Sequence, residues 1–271
     1  MSKKRLDVML CERGFTQSRE RARRIIMAGV VFVNNNREDK PGSFFEEDVE
    51  IFIKENVNPF VSRGGLKLEK ALESFCIDMS GAVALDVGAS TGGFTDCMLK
   101  HGALKVYAID VGYGQLAWEL RQDERVRVME RTNIRYVKTE QLDELAGFAS
   151  IDVSFISLKL VLPVVYNLLE PFGQVVCLIK PQFEAGRDKV GKKGVVKDAK
   201  THLEVVEGIA LFASGNNYVV KGLDYSPIKG PEGNIEYLMH LEKTEYLMPQ
   251  EEYIKRLSNE VVAKAHNELD K

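Results

Sequence analysis

The chain has 271 residues, with 37 lysines and arginines against 40 acidic residues, a net charge of −3 and 45% apolar residues. This composition is sufficient for a sizeable core and excludes a chain that is mostly disordered. The longest stretch without a charged side chain, residues 208–220, has thirteen residues. Because a membrane-spanning helix needs about 20 apolar residues, we also exclude a transmembrane protein.

The cysteines and the first residues of the chain indicate where in the cell the protein acts. Cys11, Cys76, Cys97 and Cys177 are widely spaced and form no C-x-x-C pair. We therefore expect buried free thiols in a reducing cytoplasm, without a disulfide or a metal site. The start of the chain lacks the apolar segment that a secretory signal requires. We predict a cytoplasmic protein with no membrane association and no obligatory protein partner.

Residues 1–55 predict a compact α+β module. Ser18 has the residue type and position of a helix N-cap, and glycines follow both predicted helices. Residues 1–30 hold eight basic and three acidic residues, which indicates contact with a polyanion. On charge alone, a solvated helix face explains them equally well. The predicted elements are helices over 5–10 and 21–27 and strands over 30–33 and 49–53.

This module resembles the small RNA-binding domain first described in ribosomal protein four of the small subunit. The matching positions include Arg5-Leu6-Asp7, Gly14, Ser18-Arg19, Ala22, Ile26, Gly29, Val33-Asn34 and Lys40-Pro41. The resemblance implies an RNA-binding surface on the second helix and the turn before it. Arginine suits this role because its planar fork can hold two phosphate oxygens. The predicted RNA contacts there are Arg5, Ser18, Arg19, Arg21, Arg23 and Arg24.

Residues 56–65 are predicted as a linker, and residues 66–243 as an α/β domain. Apolar runs alternate with helical segments, which favours a doubly wound, mostly parallel sheet of seven strands. Residues 244–271 form a charged, helix-like tail whose role the sequence does not indicate. The predicted strands are 82–87, 105–110, 126–129, 149–153, 174–180, 219–225 and 235–241. The predicted helices lie near 66–75, 92–101, 113–122, 139–145, 157–169 and 201–213.

A glycine-rich turn between Val83 and Phe94 is the sharpest motif. Glycines let a backbone approach a ligand, and the N-terminus of a helix offers free N–H groups to an anion. The acid that ends the next strand, Asp110, can bind ribose hydroxyls. A tight structural turn is the alternative explanation. The order D-x-G-x-x-x-G-G differs from the G-x-G-x-x-G of nicotinamide enzymes.

The turn resembles motif I of S-adenosylmethionine-dependent methyltransferases. In that motif the first acid, here Asp86, can reach the amino group of the methionine, directly or through water. We therefore predict S-adenosylmethionine as the cofactor. The predicted contacts to it are Asp86, Gly88, Ser90, Gly92, Gly93, Phe94, Asp110 and Asp152.

The ends of the fourth and fifth strands should line the reaction cleft. The Asn/Asp-Pro-Pro pattern of amino-group methyltransferases is absent after the fourth strand. Cys177 lies inside the fifth strand, where a cytosine C5 nucleophile is not expected. These two observations argue against methylation of an amino group and of a cytosine C5 carbon.

Lys180 is the informative residue at these strand ends. A buried ammonium group is costly unless it is paired or used. Pairing with Asp152 is one explanation. The other is activation of a ribose 2′-hydroxyl, because a lysine beside a second cation, such as Lys67, releases its own proton more readily and can then accept one. Glu236 could orient either ammonium group.

With these residues in place, residues 1 to about 243 resemble the hemolysin A (TlyA) family of rRNA methyltransferases. The matching segments are 60–68, 86–94, 152–157, 178–184 and 233–236. The catalytic domain of that family is similar to the FtsJ/RrmJ heat-shock 2′-O-methyltransferases, whose K-D-K-E tetrad falls on Lys67, Asp152, Lys180 and Glu236. The resemblance implies a Rossmann-like methyltransferase fold and methylation of cytidine 2′-hydroxyls in the 16S and 23S rRNA of ribosomal subunits.

The segment from Gly186 to Gly194 is basic and glycine-rich and follows Lys180 closely. We predict that it clamps RNA phosphates, although a mobile surface loop is the alternative. The predicted contacts outside the first module are Arg63, Arg187, Lys192 and Lys193.

Two other functions stay open, a membrane-damaging protein and an RNA-binding protein with an inactive methyltransferase domain. The lack of a spanning segment argues against the first, and the intact tetrad argues against the second.

Overall fold

A computed structural model describes residues 3–54, 58–247 and 249–270. The chain falls into two compact units, Met1–Pro59 and Phe60–Lys271. The predicted end of the first module at residue 55 and the start of the predicted linker at residues 56 and 57 lie outside the described residues.

The first unit packs two helices against short antiparallel strands. The hydroxyl of Ser18 accepts a hydrogen bond from the backbone N–H of Arg21 at 3.2 Å, which confirms the predicted N-cap. Leu6, Leu10 and Ile26 are fully buried in the core of the unit. The elements are β1 (Lys3–Arg5), α1 (Leu6–Glu12), α2 (Arg19–Met27), β2 (Val31–Val33), β3 (Asn36–Glu38), β4 (Phe44–Glu46) and β5 (Ile51–Ile53). β1 pairs with β4, and β2 lies between β3 and β5.

The second unit is built on one seven-stranded sheet. Its elements are α3 (Gly64–Ser74), β6 (Val83–Val87), α4 (Gly93–Lys100), β7 (Lys105–Ile109), α5 (Trp118–Arg121), β8 (Val126–Met129), β9 (Ala146–Ile151), α6 (Leu158–Leu168), β10 (Leu169–Ile179), α7 (Pro181–Glu184), α8 (Ala199–Ser214), β11 (Tyr218–Tyr225), β12 (Tyr237–Lys243) and α9 (Glu251–Leu269). The strand order is β11-β12-β10-β9-β6-β7-β8. β6 to β10 run parallel, and β12 is antiparallel to both of its neighbours. The predicted doubly wound, mostly parallel sheet is confirmed.

Helices cover both faces of this sheet. Along β6, Leu85 and Val87 join one core cluster and Ala84 joins the other, because successive side chains of a strand point to opposite faces. One cluster includes residues of α6, α8 and α9, and the other includes residues of α3 and α4. Burial on both faces explains why the strands are apolar almost throughout.

The C-terminal tail forms α9 and belongs to this core. Ile254, Val261 and Val262 of α9 are buried against the sheet and α8. The remaining residues of the helix are largely polar and exposed. Across the described part of the chain, no helix combines the length and the apolar character needed to cross a membrane.

Two predicted helices are much shorter than expected. The helix near 113–122 is reduced to α5, and the one near 139–145 to a 3-10 turn at Thr139–Gln141. Before α5, Gly114 adopts a positive φ of 72° and Asp110 holds the backbone N–H of Gly112, so the chain forms a turn there. The strand predicted at 235–241 begins at Tyr237.

The prediction of buried thiols is wrong for Cys76 and only partly correct for Cys11. Cys97 and Cys177 are buried, Cys11 is half-buried, and Cys76 is exposed. Cys76 lies just after α3 with a φ of 53°, in the turn that leads the chain away from the helix. All four are free thiols.

Candidate active site

The carboxyl ends of the central strands bring the candidate residues to one edge of the sheet. Asp152 follows β9 directly, and Lys180 follows β10. β12 runs antiparallel to β10, with Ile179 paired to Tyr237. Glu236, which precedes β12, therefore reaches the same edge as Lys180. Lys67 comes from the second turn of α3.

The four residues of the proposed tetrad form a continuous chain of ion pairs. The Lys180 Nζ to Asp152 Oδ1 distance is 2.5 Å, and the Lys67 Nζ to Glu236 Oε2 distance is also 2.5 Å. Asp152 Oδ2 lies 3.9 Å from Lys67 Nζ, so this carboxylate stands between two ammonium groups. Two positive and two negative charges thus meet at the sheet edge.

Burial makes this arrangement chemically significant. Glu236 is 1% exposed, Lys67 7% and Lys180 8%. Burying a charge costs several kcal/mol unless a partner compensates it, and each of these groups has one. Lys180 also donates a hydrogen bond to the hydroxyl of Ser154 at 3.3 Å. The side chain of Asp152 is more accessible, at 19%, so the tetrad opens to solvent there.

A cavity of about 250 Å³ lies beside the tetrad. The glycine-rich turn after β6, the start of α3 and residues 228–231 line this cavity. Lys67 and Asp152 belong to both the tetrad and the lining, so a molecule in the cavity would be adjacent to the ion pairs. Further lining residues are Ser62, Arg63, Gly88, Ser90, Gly93 and Phe94.

Close contacts with neighbouring atoms require glycine at two positions of the turn. Gly88 has a φ of +89°, and a Cβ at this position would lie 2.5 Å from the carbonyl oxygen of Asp152. A Cβ on Gly93 would lie 2.2 Å from the hydroxyl oxygen of Ser62. Gly93 begins α4, so the free N–H groups of that helix are next to the cavity. The turn therefore combines a close backbone approach with an anion-binding helix end.

Asp110 and Gly92 support this turn from outside the lining. Asp110 accepts hydrogen bonds from the backbone N–H groups of Ser90 at 2.8 Å and Gly112 at 2.7 Å. Gly92 caps α4 with a φ of +92°. Asp110 thus connects the turn to the segment after β7. Binding of ribose hydroxyls by this acid stays a prediction.

Asp86 is completely buried below the turn. Its carboxylate accepts hydrogen bonds from the hydroxyls of Thr95 at 2.6 Å and Ser150 at 3.4 Å. Burial raises the pKa of Asp86 to about 7. The residue does not line the cavity, so its contact with a methionine amino group remains a prediction.

Glu184 is not among the predicted site residues, and it links two segments of the site. Its carboxylate accepts a hydrogen bond from the hydroxyl of Ser157 at 2.7 Å and from the backbone N–H of Leu158 at 2.8 Å. Burial raises the pKa of this carboxyl group. In the sequence the indication of this contact is weak. The helix capped by Ser157 has no acidic residue in its own first turn, so an acid from another segment can accept hydrogen bonds there.

An exposed aromatic side chain lies in the same region. Phe155 is 90% exposed and has a φ of +63°, which is rare for a bulky residue. Its ring contacts that of Phe183, with the ring centroids 4.9 Å apart. Phe155 follows Ser154, a hydrogen-bond partner of Lys180, and the Lys180 Nζ lies 5.9 Å from the centroid of the Phe183 ring.

The predicted RNA contacts are accessible in both units. Arg63 is exposed and lines the cavity. Arg187, Lys192 and Lys193 are exposed in the segment after α7, and Arg19, Arg21, Arg23 and Arg24 are exposed on α2. Ser18 is also exposed and caps that helix, while Arg5 is half-buried. Their contact with RNA stays a prediction.

Comparisons with known proteins match both units. Residues 4–51 match the S4 domain, and residues 60–243 match the FtsJ-like methyltransferase family. The 16S/23S rRNA (cytidine-2′-O)-methyltransferase TlyA of Mycobacterium tuberculosis is 41% identical over 238 residues, which cover 88% of this chain and 89% of that protein. Hemolysin A of Brachyspira hyodysenteriae is 42% identical over 246 residues, covering 87% and 98%. A solved structure of a Streptococcus thermophilus protein named as a hemolysin has a TM-score of 0.78 and 49% identity, covering 100% and 98%.

Proposed function

Because this chain belongs to the TlyA, or hemolysin A, family, in which an S4 domain precedes an FtsJ-like methyltransferase domain, we propose that it methylates cytidine 2′-hydroxyls in ribosomal RNA. The observation that carries the proposal is the ion-paired set Lys67, Asp152, Lys180 and Glu236 beside the cavity. The methyl donor is S-adenosylmethionine. Ribosomal subunits would be the substrate, which implies action in the cytoplasm.

The cavity has the features that this donor requires. Gly88 and Gly93 leave room for a close approach, and the start of α4 offers N–H groups to a carboxylate. Asp110, which follows β7 and holds the backbone N–H of Ser90 in the turn, would accept hydrogen bonds from ribose hydroxyls. When bound, S-adenosylmethionine supplies an electrophilic methyl group on a sulfonium centre.

The role of the tetrad follows from the weak acidity of a ribose hydroxyl. Lys180 would act as a neutral amine, which forms when its ammonium group releases a proton to solvent. The amine nitrogen would hold the 2′-hydroxyl and take its proton as the oxygen receives the methyl group from the sulfonium sulfur. Asp152, 2.5 Å from Lys180, compensates the positive charge that results. Lys67 and Glu236 fix the other side of Asp152, because Glu236 is buried and anchors the Lys67 ammonium group.

Phe155 would contact the target base. Its exposed ring presents an aromatic face next to the segment that holds Lys180. Stacking of a base on such a face contributes about 1–3 kcal/mol. A target base that leaves its own stack loses stacking energy, and the aromatic face would compensate part of that cost.

The S4 domain would provide affinity for the RNA. Four arginines are exposed on α2, and their contacts with phosphates would release counterions and make binding dependent on salt. The exposed basic residues after α7 would hold the RNA near the tetrad. Affinity and chemistry are thus assigned to different residues.

The test is methyl transfer to purified ribosomal subunits that lack the modification. With methyl-labelled S-adenosylmethionine, label is expected on the 2′-oxygen of cytidines, found as nucleotides that resist alkaline cleavage. The variant Lys180→Ala should leave the RNA unlabelled. Label on a base nitrogen or carbon, or leakage of lipid vesicles by protein that transfers no methyl group, would overturn the proposal.

A further inference from the structure

Asp7 is a fully buried carboxylate at the start of α1 in the first unit. Arg5 contacts both of its oxygens, with its Nε and one terminal nitrogen each at 3.0 Å. Arg19 contacts Asp7 at 3.1 Å from α2, and Arg23 approaches to 3.5 Å from one turn further along that helix. One buried acid thus gathers three arginines from two segments.

The three arginines keep most of their capacity for further contacts. Their side chains are 35%, 56% and 57% exposed for Arg5, Arg19 and Arg23, whereas that of Asp7 is inaccessible. One negative charge faces three positive ones, so the cluster keeps a net charge of +2. Hydrogen bonds from Arg5 lower the pKa of Asp7 to about 2, so the carboxylate remains charged at neutral pH.

We propose that Asp7 is a positioning residue that holds Arg5, Arg19 and Arg23 together as one preformed binding site for RNA phosphate. The inference rests on the proposed function, because it assumes that the first unit binds RNA. Asp7 does not touch the ligand. It holds the guanidinium groups on their buried side, so their exposed N–H groups are available to the phosphate.

The physical reason is conformational entropy. A free arginine side chain loses rotamer freedom when it binds a phosphate, and this loss weakens binding. In the cluster that freedom is lost on folding, when the guanidinium groups order around Asp7. A phosphate then meets three oriented forks, and charge-assisted contacts with two oxygens at once become available.

This inference predicts an effect of opposite sign to simple electrostatics. Asp7→Asn makes the protein more positive by one charge, which by itself would strengthen binding to a polyanion. We expect instead at least a tenfold weaker affinity for a fluorescently labelled RNA hairpin. The dependence of log affinity on log salt concentration should also become shallower, because fewer phosphates are contacted. The measurement is fluorescence anisotropy with the full chain at several salt concentrations.

The matched control is Glu20→Gln, which removes an exposed negative charge on α2. It should bind the hairpin slightly more tightly than the natural protein. If Asp7→Asn, with unchanged circular dichroism, binds as tightly as Glu20→Gln, the inference is overturned.

A second comparison applies if Asp7→Asn fails to fold. Arg19→Gln should weaken binding several-fold more than Arg21→Gln, because Arg21 is exposed on the same helix outside the cluster. Equal losses would overturn the inference. These measurements need no methyl transfer. Tight RNA binding without any transfer would therefore refute the proposed function and leave the role of Asp7 standing.

Discussion

Glu184 accepts a hydrogen bond from the backbone N–H of Leu158 at 2.8 Å, and this contact joins the two segments that carry Asp152 and Lys180. One segment runs from β9 to α6, and the other runs from β10 into α7. The ring contact between Phe155 and Phe183 joins them a second time. The distance between the two charged groups therefore depends on residues several positions away from either.

Removing Glu184 should slow catalysis more than it weakens cofactor binding. Glu184→Ala breaks both hydrogen bonds to the start of α6, so the Asp152 segment can shift relative to Lys180. A shift of about 1 Å costs on the order of a hundredfold in rate. We expect kcat to fall tenfold or more, with the Kd for S-adenosylmethionine within about twofold.

The conservative variant Glu184→Gln tests whether this effect is one of position. Its amide oxygen can still accept the hydrogen bond from Leu158, so most of the activity should return. Glu204→Ala, on neighbouring α8, removes an exposed acid that pairs with Lys189 and should leave kcat unchanged. Equal loss in the Gln and Ala variants would contradict a positioning role.

Lys180 should be indispensable for the methyl transfer step. A positioned base contributes about 10²–10⁴-fold to a rate, so Lys180→Ala should lose activity by that factor. Lys180→Arg should fail too, because a guanidinium group keeps its proton. Single-turnover transfer to ribosomal subunits measures the step, and calorimetry should show that the cofactor still binds. Activity in the Arg variant would show that a fixed positive charge is sufficient.

A methyl group on Gly88 should abolish most cofactor binding. The substitution Gly88→Ala places a Cβ 2.5 Å from the carbonyl oxygen of Asp152 and forces alanine into a φ of +89°. The backbone strain alone costs about 1–2 kcal/mol, and the displaced turn adds to it. We expect affinity for S-adenosylmethionine to fall at least tenfold by calorimetry.

Gly81→Ala is the matched control for that variant. Gly81 has a similar φ of +73°, but a Cβ there would meet no atom within 4 Å. The control should lose some stability and keep its cofactor affinity. If both variants bind the cofactor equally well, the turn is not the binding cradle.

The buried carboxyl group of Asp86 should make stability depend on pH. In the folded protein the pKa of Asp86 is raised to about 7, whereas an aspartate in an unfolded chain has a pKa of about 3.9. Its contribution to the free energy of unfolding is therefore complete below about pH 4 and is lost as the pH rises to about 7. An asparagine at position 86 cannot ionise, so the variant Asp86→Asn does not lose stability in this way as the pH rises.

We therefore expect Asp86→Asn to gain stability relative to the natural protein as the pH rises. The difference in the free energy of unfolding should increase by roughly 2–4 kcal/mol between about pH 5 and pH 8, measured by urea titration. The exposed Asp78 provides a control, since a backbone hydrogen bond from Ser80 lowers the pKa of that carboxyl group. Asp78→Asn should show no such gain, and a flat difference for Asp86→Asn would contradict its raised pKa.

The sheet and the meeting of the tetrad could be predicted because both follow from local rules. Apolar runs and glycines locate the strands of a parallel sheet, and strand ends locate the site. Lys180 stood out because a charge at the end of an apolar strand needs a partner. Asp152 provides that partner, so this part of the geometry was within reach of the sequence.

Other features depend on contacts that the sequence does not encode locally. The burial of Asp86 below its turn results from the packing of Thr95 and Ser150, which come from two different elements. Glu184 acts on the start of a helix 26 residues earlier in the chain. Asp7 and its arginines were visible as separate charges, but their convergence needed the docking of α1 on α2.

The reversed direction of β12 determines which changes in chain length the site can tolerate. Glu236 is held at the edge that carries Lys180 by the pairing of Tyr237 with Ile179 and by a hydrogen bond from the backbone N–H of Ser226 to its own carbonyl oxygen. Residues 228–231, in the segment between β11 and β12, line the cavity, so a change of length there would alter the binding space. A single residue added within β12 would turn the side chains on one side of the insertion to the other face of the sheet. Engineering of this protein therefore has little freedom in chain length in either the loop or the strand.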